Sequence, residues 1–408
     1  MELSARQIRA HRLRAHHLDQ KYPFGELLTV AGTCGLQNSP PGAWETAAFC
    51  RLKDCTLPQL HQALYQKKEL LQAWSIRGVP LIFPTADSGV FLSPLAVQEG
   101  EEPWIYTKGI GLALDHLGMS FAELLPLVES AAEYLEDHTI KSKEELDRVL
   151  AQLVAEQLPA QKQSLWNAPS MYGAPDRQTV GGAAVSFLLR PCSFKGLVVF
   201  GEREGISPTF TSPLRWLGHK LVPSAQGTAE LARRFLHAYG PATQRTFADW
   251  LGSTPAQAKR LWRQIEEELE PVTAAGKKAF ILQADRESFR CADTEESLLL
   301  LGPHDPYLDI RNRAILLEET AAQRQVWRTV GNPGVILKSG KIIGIWKTRT
   351  QRENLSVSTT LWEPLSAPEQ RELERQMEGY ASFRGLALLY QHGSSNPNLP
   401  PGMLAAAA

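Results

Sequence analysis

The chain has 408 residues, enough for two to four domains at roughly 100–200 residues each. Lys and Arg number 43 against 44 Asp and Glu, a formal net charge of −1; that balance argues against a polyanion binder held by bulk charge and leaves room for a local basic groove. Five cysteines without a Cys-x-x-Cys pair indicate neither a disulfide framework nor a zinc site, and the absence of a signal-like or membrane-spanning apolar run points to a cytoplasmic protein with reduced thiols.

In chain order, helices are expected at 4–19, 25–34, 43–53 and 57–66, followed by an extended run at 78–83 that could pair with 89–95. The first helix has an apolar stripe of Ala5, Ile8, Ala15 and Leu18. Residues 1–22 also carry Arg6, Arg9, Arg12, Arg14 and Lys21 against Glu2 and Asp19, which reads either as a solvated face or as a DNA contact. The loop 35–42 (Gly-Leu-Gln-Asn-Ser-Pro-Pro-Gly) is dense in polar groups. Its amides and hydroxyl can position a water, although the same composition also makes an ordinary helix connector.

The middle of the chain repeats this element order. Helices are expected at 120–136, 142–157 and 178–190, with Ser142 and Glu145 forming a capping-box pattern. A hairpin of 197–200 and 207–211 follows. Further on, a helix at 229–239 is stopped by Gly240-Pro241, and a short helix follows at 246–251. After the Gly252-Ser253 turn, Thr254 and Pro255 suit the cap and first position of a helix running to about 269. Ala258, Leu261, Trp262 and Ile265 give that helix a buried face. A hairpin of 272–273 and 280–282 closes this stretch, which has the element order of a winged helix-turn-helix.

The last region differs. Segments 335–337 and 342–346 flank Lys338-Ser339-Gly340-Lys341, a strong hairpin signal. A helix at 368–380 and a strand at 385–390 complete it, followed by a loop at 394–401 and a frayed tail at 405–408. The fold class is α+β. The division expected is 1–115, 116–225 and 226–290 as three winged-helix units, with 291–408 as a β-rich segment.

Two stretches have the charge pattern of a DNA contact. Lys259, Arg260 and Arg263 lie early on the 255–269 helix, where they could reach phosphates or a groove; they also read as plain solvated charges, and Glu266, Glu267 and Glu268 follow them. Residues 331–352 carry Lys338, Lys341, Lys347, Arg349 and Arg352 with no acidic residue. A thin basic hairpin can enter a groove or lie along a backbone, and Lys at a tip also guards an edge strand. No nucleophile elbow, phosphate-binding loop or zinc-protease motif is present. His16-His17 and His304-Asp305 stand isolated. No metal or cofactor is implied.

The landmarks also carry a resemblance. Leu3-Ser4-Ala5-Arg6 opens the first helix, Gly35-Leu36-Gln37 leads to Arg51-Leu52, and Arg77-Gly78 begins the first extended segment. Tyr239-Gly240-Pro241-Ala242-Thr243 precedes Phe247-Ala248-Asp249-Trp250-Leu251-Gly252. Asp305-Pro306-Tyr307-Leu308, Arg313 and the hairpin from Ser339 to Trp346 complete the series. In order and spacing this series resembles the winged-helix DNA glycosylases of the AlkZ type, which are bacterial crosslink-repair and self-resistance enzymes. The resemblance implies three tandem winged-helix units forming a C-shaped concave surface, acting as a monomer on double-stranded DNA without a cofactor or a membrane. It implies hydrolysis of the N-glycosidic bond of an alkylated, bulky or crosslinked purine.

The family's catalytic motif is usually two Gln separated by one residue, or Gln and Asp so separated. Gln37 matches its first position. Ser39 stands at the second, with Asn38 between them, and Val79-Pro80-Leu81 stands where the family often has a His. Cleavage builds an oxocarbenium-like sugar that water attacks, so polar side chains that orient that water are what the reaction asks for. The catalytic candidates are therefore Gln37, Ser39 and Asn38, and the DNA-contact candidates are Lys338, Lys341, Lys347, Arg349, Arg77, Lys259, Arg260 and Arg263. The alternative is a DNA-binding relative without chemistry, either a lesion sensor or a transcriptional regulator.

Overall fold

The computed structural model describes residues 1–101, 109–172, 178–205, 207–291 and 297–391; the expected 394–401 loop and 405–408 tail lie outside these residues. Helices and sheets are mixed along the whole chain, as the α+β reading requires. The chain divides into two compact units, each discontinuous in sequence. One holds residues 1–61, 235–242 and the chain from 268 onward; the other holds 62–234 and 243–267.

The first unit is built on a five-stranded sheet. Leu298–Leu301, Gly334–Lys338, Lys341–Gln351 and Asn354–Leu361 run antiparallel in that order, and Ala387–Gln391 adds a parallel edge strand. Alternation along Gly334–Lys338 explains how the sheet serves two cores. Ile336 packs under the helix Ala367–Phe383 with Leu373 and Met377. Val335 and Leu337 point to the opposite face, into a core with Leu3, Ile8 and Leu13. Ile342 and Ile345 reach that same core although they are three positions apart. The strand register shifts between Ile336 and Leu337, and such an irregularity resets which face each later side chain meets.

The helix Ala5–Ala15 is capped by a Ser4–Gln7 capping box. Arg6 is exposed, but the other three arginines of this helix do not form a solvated or DNA-facing stripe. Arg12 is 2% exposed and donates to the carbonyls of Tyr239 and Gly240. Arg9 donates to Ile315, and Arg14 to Ser288 and Cys291. Guanidinium groups offer several donors to carbonyls that would otherwise lack partners, so basic residues here tie distant loops together.

The second unit packs helices Phe121–Ala132, Lys143–Gln157 and Val180–Phe194 around Leu124, Leu146, Leu150 and Leu188. Ser142 caps the second of these through Glu145 N. Trp166 is fully buried and donates to Ala151 O. A Cβ at Gly181 would lie 2.2 Å from its indole, so this position must be glycine. The hairpin of Val199–Phe200 with Thr209–Thr211 forms as expected.

Two sequence expectations in this unit are corrected. Strand Pro80–Pro84 pairs with Leu70–Trp74. Residues 89–95 are helical turns, Ser88–Phe91 and Ser93–Leu95. The 255–269 helix is also shorter than its apolar spacing suggests: it ends at Arg263 and a strand begins at Leu269. Together Gln244–Leu251, a left-handed Gly252 at φ 71° and Pro255–Arg263 form a helix-turn-helix, with Thr254 as cap.

Candidate active site

The loop 35–42 joins the helices Leu27–Cys34 and Ala43–Arg51. Glycine is required at both ends, with φ 74° at Gly35 and 90° at Gly42. Inside it, Asn38 is buried and its Oδ1 accepts from Gly42 N at 2.7 Å. This carboxamide closes the loop. Gln37 is half-buried, and its Nε2 donates to the Ser39 carbonyl at 2.8 Å. The bond fixes the plane of the Gln37 amide and orients its oxygen as an acceptor. Ser39 is half-buried beside it.

The loop stands between two depressions of the first unit. Gln37 lines a pocket of about 110 Å³, together with His304, Asp309, Trp327 and Asn332. Pro40, Pro41 and Gly42 line a larger one of about 380 Å³, whose other walls include Trp346, Lys347, Tyr380 and Arg384. Asn332 and Pro333 belong to both.

Buried charge holds these walls in place. Arg51 and Asp305 form a bidentate pair at 2.8 Å through both guanidinium nitrogens. Arg51 also donates to the carbonyls of His16 and Ala47. Burial opposes the charge on Arg51, but Asp305 outweighs it, so the guanidinium pKa is raised. Asp305 additionally caps the turn Pro306–Leu308 by accepting from Tyr307 N. At the rim of the larger pocket, Glu45 is 1% exposed and takes both Arg384 and His61 at 2.7 and 2.8 Å.

The basic candidates fare differently from one another. Lys338 pairs with Glu369 and Lys341 with Glu363, each at 2.6 Å. The acids that neutralise the hairpin come from beyond residue 352, so its local sequence could not reveal them. The tip is also docked: Gly340 O accepts from the buried Tyr307 hydroxyl. The exposed cations on this strand are Lys347 and Arg349, and Arg352 is exposed in the turn beyond it. Lys347 lies beside the Pro40–Pro41 wall, so the basic end near the loop is the far end of the strand and not its tip. In the second unit, Arg260 is chelated by Glu101, and Arg77 donates to Trp250 O. Lys259 and Arg263 are exposed.

The family model described as DNA glycosylase AlkZ-like matches residues 30–383. The chain belongs to the AlkZ-like DNA glycosylase family. It is 24% identical over 360 residues to the interstrand DNA cross-link repair glycosylase of Streptomyces sahachiroi, covering 85% of this chain and 88% of that protein. Its fold is similar to the solved structure of Streptomyces sahachiroi DNA glycosylase AlkZ, with a TM-score of 0.74 and 20% identity, over 96% of this chain and all of the other. As an AlkZ-like family member, the chain is a DNA-repair glycosylase by descent, and the reading as a chemistry-free DNA binder is not favoured. His304 and Asp309 share the lining of the Gln37 pocket, and nothing in the sequence places them there. Among the described residues, no single helix is long and apolar enough to cross a membrane.

Proposed function

We propose that the chain is a monofunctional DNA glycosylase that hydrolyses the N-glycosidic bond of alkylated purines in duplex DNA, bulky or crosslinked adducts included. The observation that carries this reading is Gln37: an amide held by Ser39 O, lining a small pocket, in a chain of the AlkZ-like family. The relative named for interstrand cross-link repair supports the substrate class. In this mechanism the Gln37 carbonyl oxygen accepts a hydrogen bond from the attacking water and lines it up with C1′. A positively charged alkylpurine is already a good leaving group, so correct placement supplies much of what is needed. Ser39 adds a hydroxyl at the loop's other polar position.

The DNA-facing surface in this reading belongs to three winged-helix units on a monomer, with Lys347 near the loop and Arg349 on the same strand of the first compact unit, and Lys259 and Arg263 on the helix-turn-helix of the second. Such a surface grips phosphates locally and needs no excess of positive charge overall. Incubating the purified protein with duplexes carrying N7-alkylguanine or a purine–purine crosslink, and scoring abasic sites, tests the activity directly. Abasic sites should accumulate with wild-type protein and not with Gln37→Ala. Their absence with wild-type protein on both substrates would overturn the reading.

A further inference from the structure

We propose that Asp309 is a further catalytic residue, whose carboxylate takes the proton from the water that Gln37 orients. The inference rests on the reading of Gln37 given above.

The size of the pocket indicates what it holds. At about 110 Å³ it has room for about three waters, each of which occupies about 30 Å³ in the liquid. Pockets for drug-sized ligands begin at about 300 Å³, so this one is of a size to hold waters. Gln37 forms one side. One short segment supplies four more of its lining residues, His304, Asp305, Leu308 and Asp309. Two acidic residues therefore line the pocket. Asp305 is 2% exposed and committed to Arg51 through both oxygens. Asp309 is half-buried at the end of the turn Pro306–Leu308.

The segment is held rigidly. Asp305 caps its turn, and Asp309 N donates to Pro306 O at 3.0 Å. Trp327 Nε1 donates to Leu308 O, also at 3.0 Å. His304, the residue before the locked Asp305, has φ 61°. A non-glycine residue in that region stores strain, which the surrounding structure must hold in place, and such residues gather at functional sites.

The chemistry needs what Gln37 lacks. Its amide is neutral and its Nε2 is occupied by Ser39 O, so it can orient a water but cannot remove a proton. The water oxygen bonds to C1′ as the C1′–N bond breaks. That bonding pair passes to the purine, which leaves neutral because the alkyl group had made it cationic. One proton remains, that of the attacking water; Asp309 accepts it and releases it to solvent.

The test is single-turnover release of 7-methylguanine from a duplex by Asp309→Asn, an isosteric change that leaves the turn intact. The rate should fall about 100-fold, the lower end of what a positioned base supplies, with duplex affinity and melting temperature unchanged. Asp309→Ala should be equally slow, and added formate should restore part of its rate. Release by Asp309→Asn within about threefold of wild type would overturn the proposal, as would a loss of rate matched by a loss of duplex affinity or melting temperature. Loss of activity in Gln37→Ala but not in Asp309→Asn would remove Asp309 alone. Full activity in Gln37→Ala would instead remove the reading on which it rests.

Discussion

Arg51 and Asp305, 254 positions apart, meet as a bidentate ion pair with side chains 2% and 0% exposed. The pair links the helix that follows the Gln37 loop to the segment that supplies His304, Asp305, Leu308 and Asp309 to its pocket. Two landmarks that stand apart in the sequence are thus one structural device. Breaking it by Asp305→Ala should cost about 3–5 kcal/mol, because it strands a buried guanidinium. Replacing both residues with apolar side chains of similar volume should cost much less. Thermal or urea melting of the three proteins checks this; equal losses would show that the charge pairing is not what matters.

Within the loop, Gln37 and Asn38 should separate cleanly. Gln37→Ala should abolish base release while duplex binding and melting temperature survive. Asn38→Ala should act on stability, at about 1–3 kcal/mol, since it leaves Gly42 N without its acceptor inside the fold. Paired melting curves and base-release assays distinguish the two roles. A fully stable, inactive Asn38→Ala would keep Asn38 in the catalytic set.

DNA affinity should follow exposure and not simple charge count. Lys347→Glu with Arg349→Glu should weaken duplex binding and lower the slope of log K against log salt by about one for each phosphate that is no longer neutralised. Lys338→Gln should leave both unchanged, because Glu369 already occupies that ammonium. Salt titrations of binding on the same duplex decide it, and an unaltered slope in the double variant would remove this strand from the interface.

Acid should weaken the fold through buried histidine. His11 stacks on Phe289 at 3.8 Å, and burial lowers its pKa from 6.5 to about 4. Burial lowers His16 as well. The unfolded chain therefore binds these protons near pH 6.5 while the folded chain does not, so stability is full above that pH and falls as pH drops toward about 4. At about 1.4 kcal/mol per pKa unit, the contribution of His11 is on the order of 3 kcal/mol. Melting temperatures from pH 8 to 4 should stay level and then decline below 6.5, with a shallower decline in His11→Gln. An identical acid limb in that variant would assign the effect elsewhere.

Much of the chain was legible locally. Turn chemistry and caps are short-range, so Ser142, Thr254, Gly252 and Gly240-Pro241 marked real element ends. Apolar spacing marked the helices, and the Gly340 hairpin stood out by its turn. The strand Leu70–Trp74 was lost because it is buried throughout and shows no alternation. The 255–269 helix was overextended because Ile265 keeps helical spacing after the helix has ended.

The sequence by itself determined most element types, the family and Gln37 as the catalytic candidate, since these rest on neighbouring residues and on order along the chain. Only tertiary structure decided which charges are available. Arg12, Arg51, Arg260, Lys338 and Lys341 look alike as cations in a sequence. Burial and carboxylates or carbonyls far away in the chain take them up, because an unpaired charge or donor inside a protein is costly. The same long-range packing brings His304 and Asp309 to the pocket of Gln37, a juxtaposition that no local pattern records.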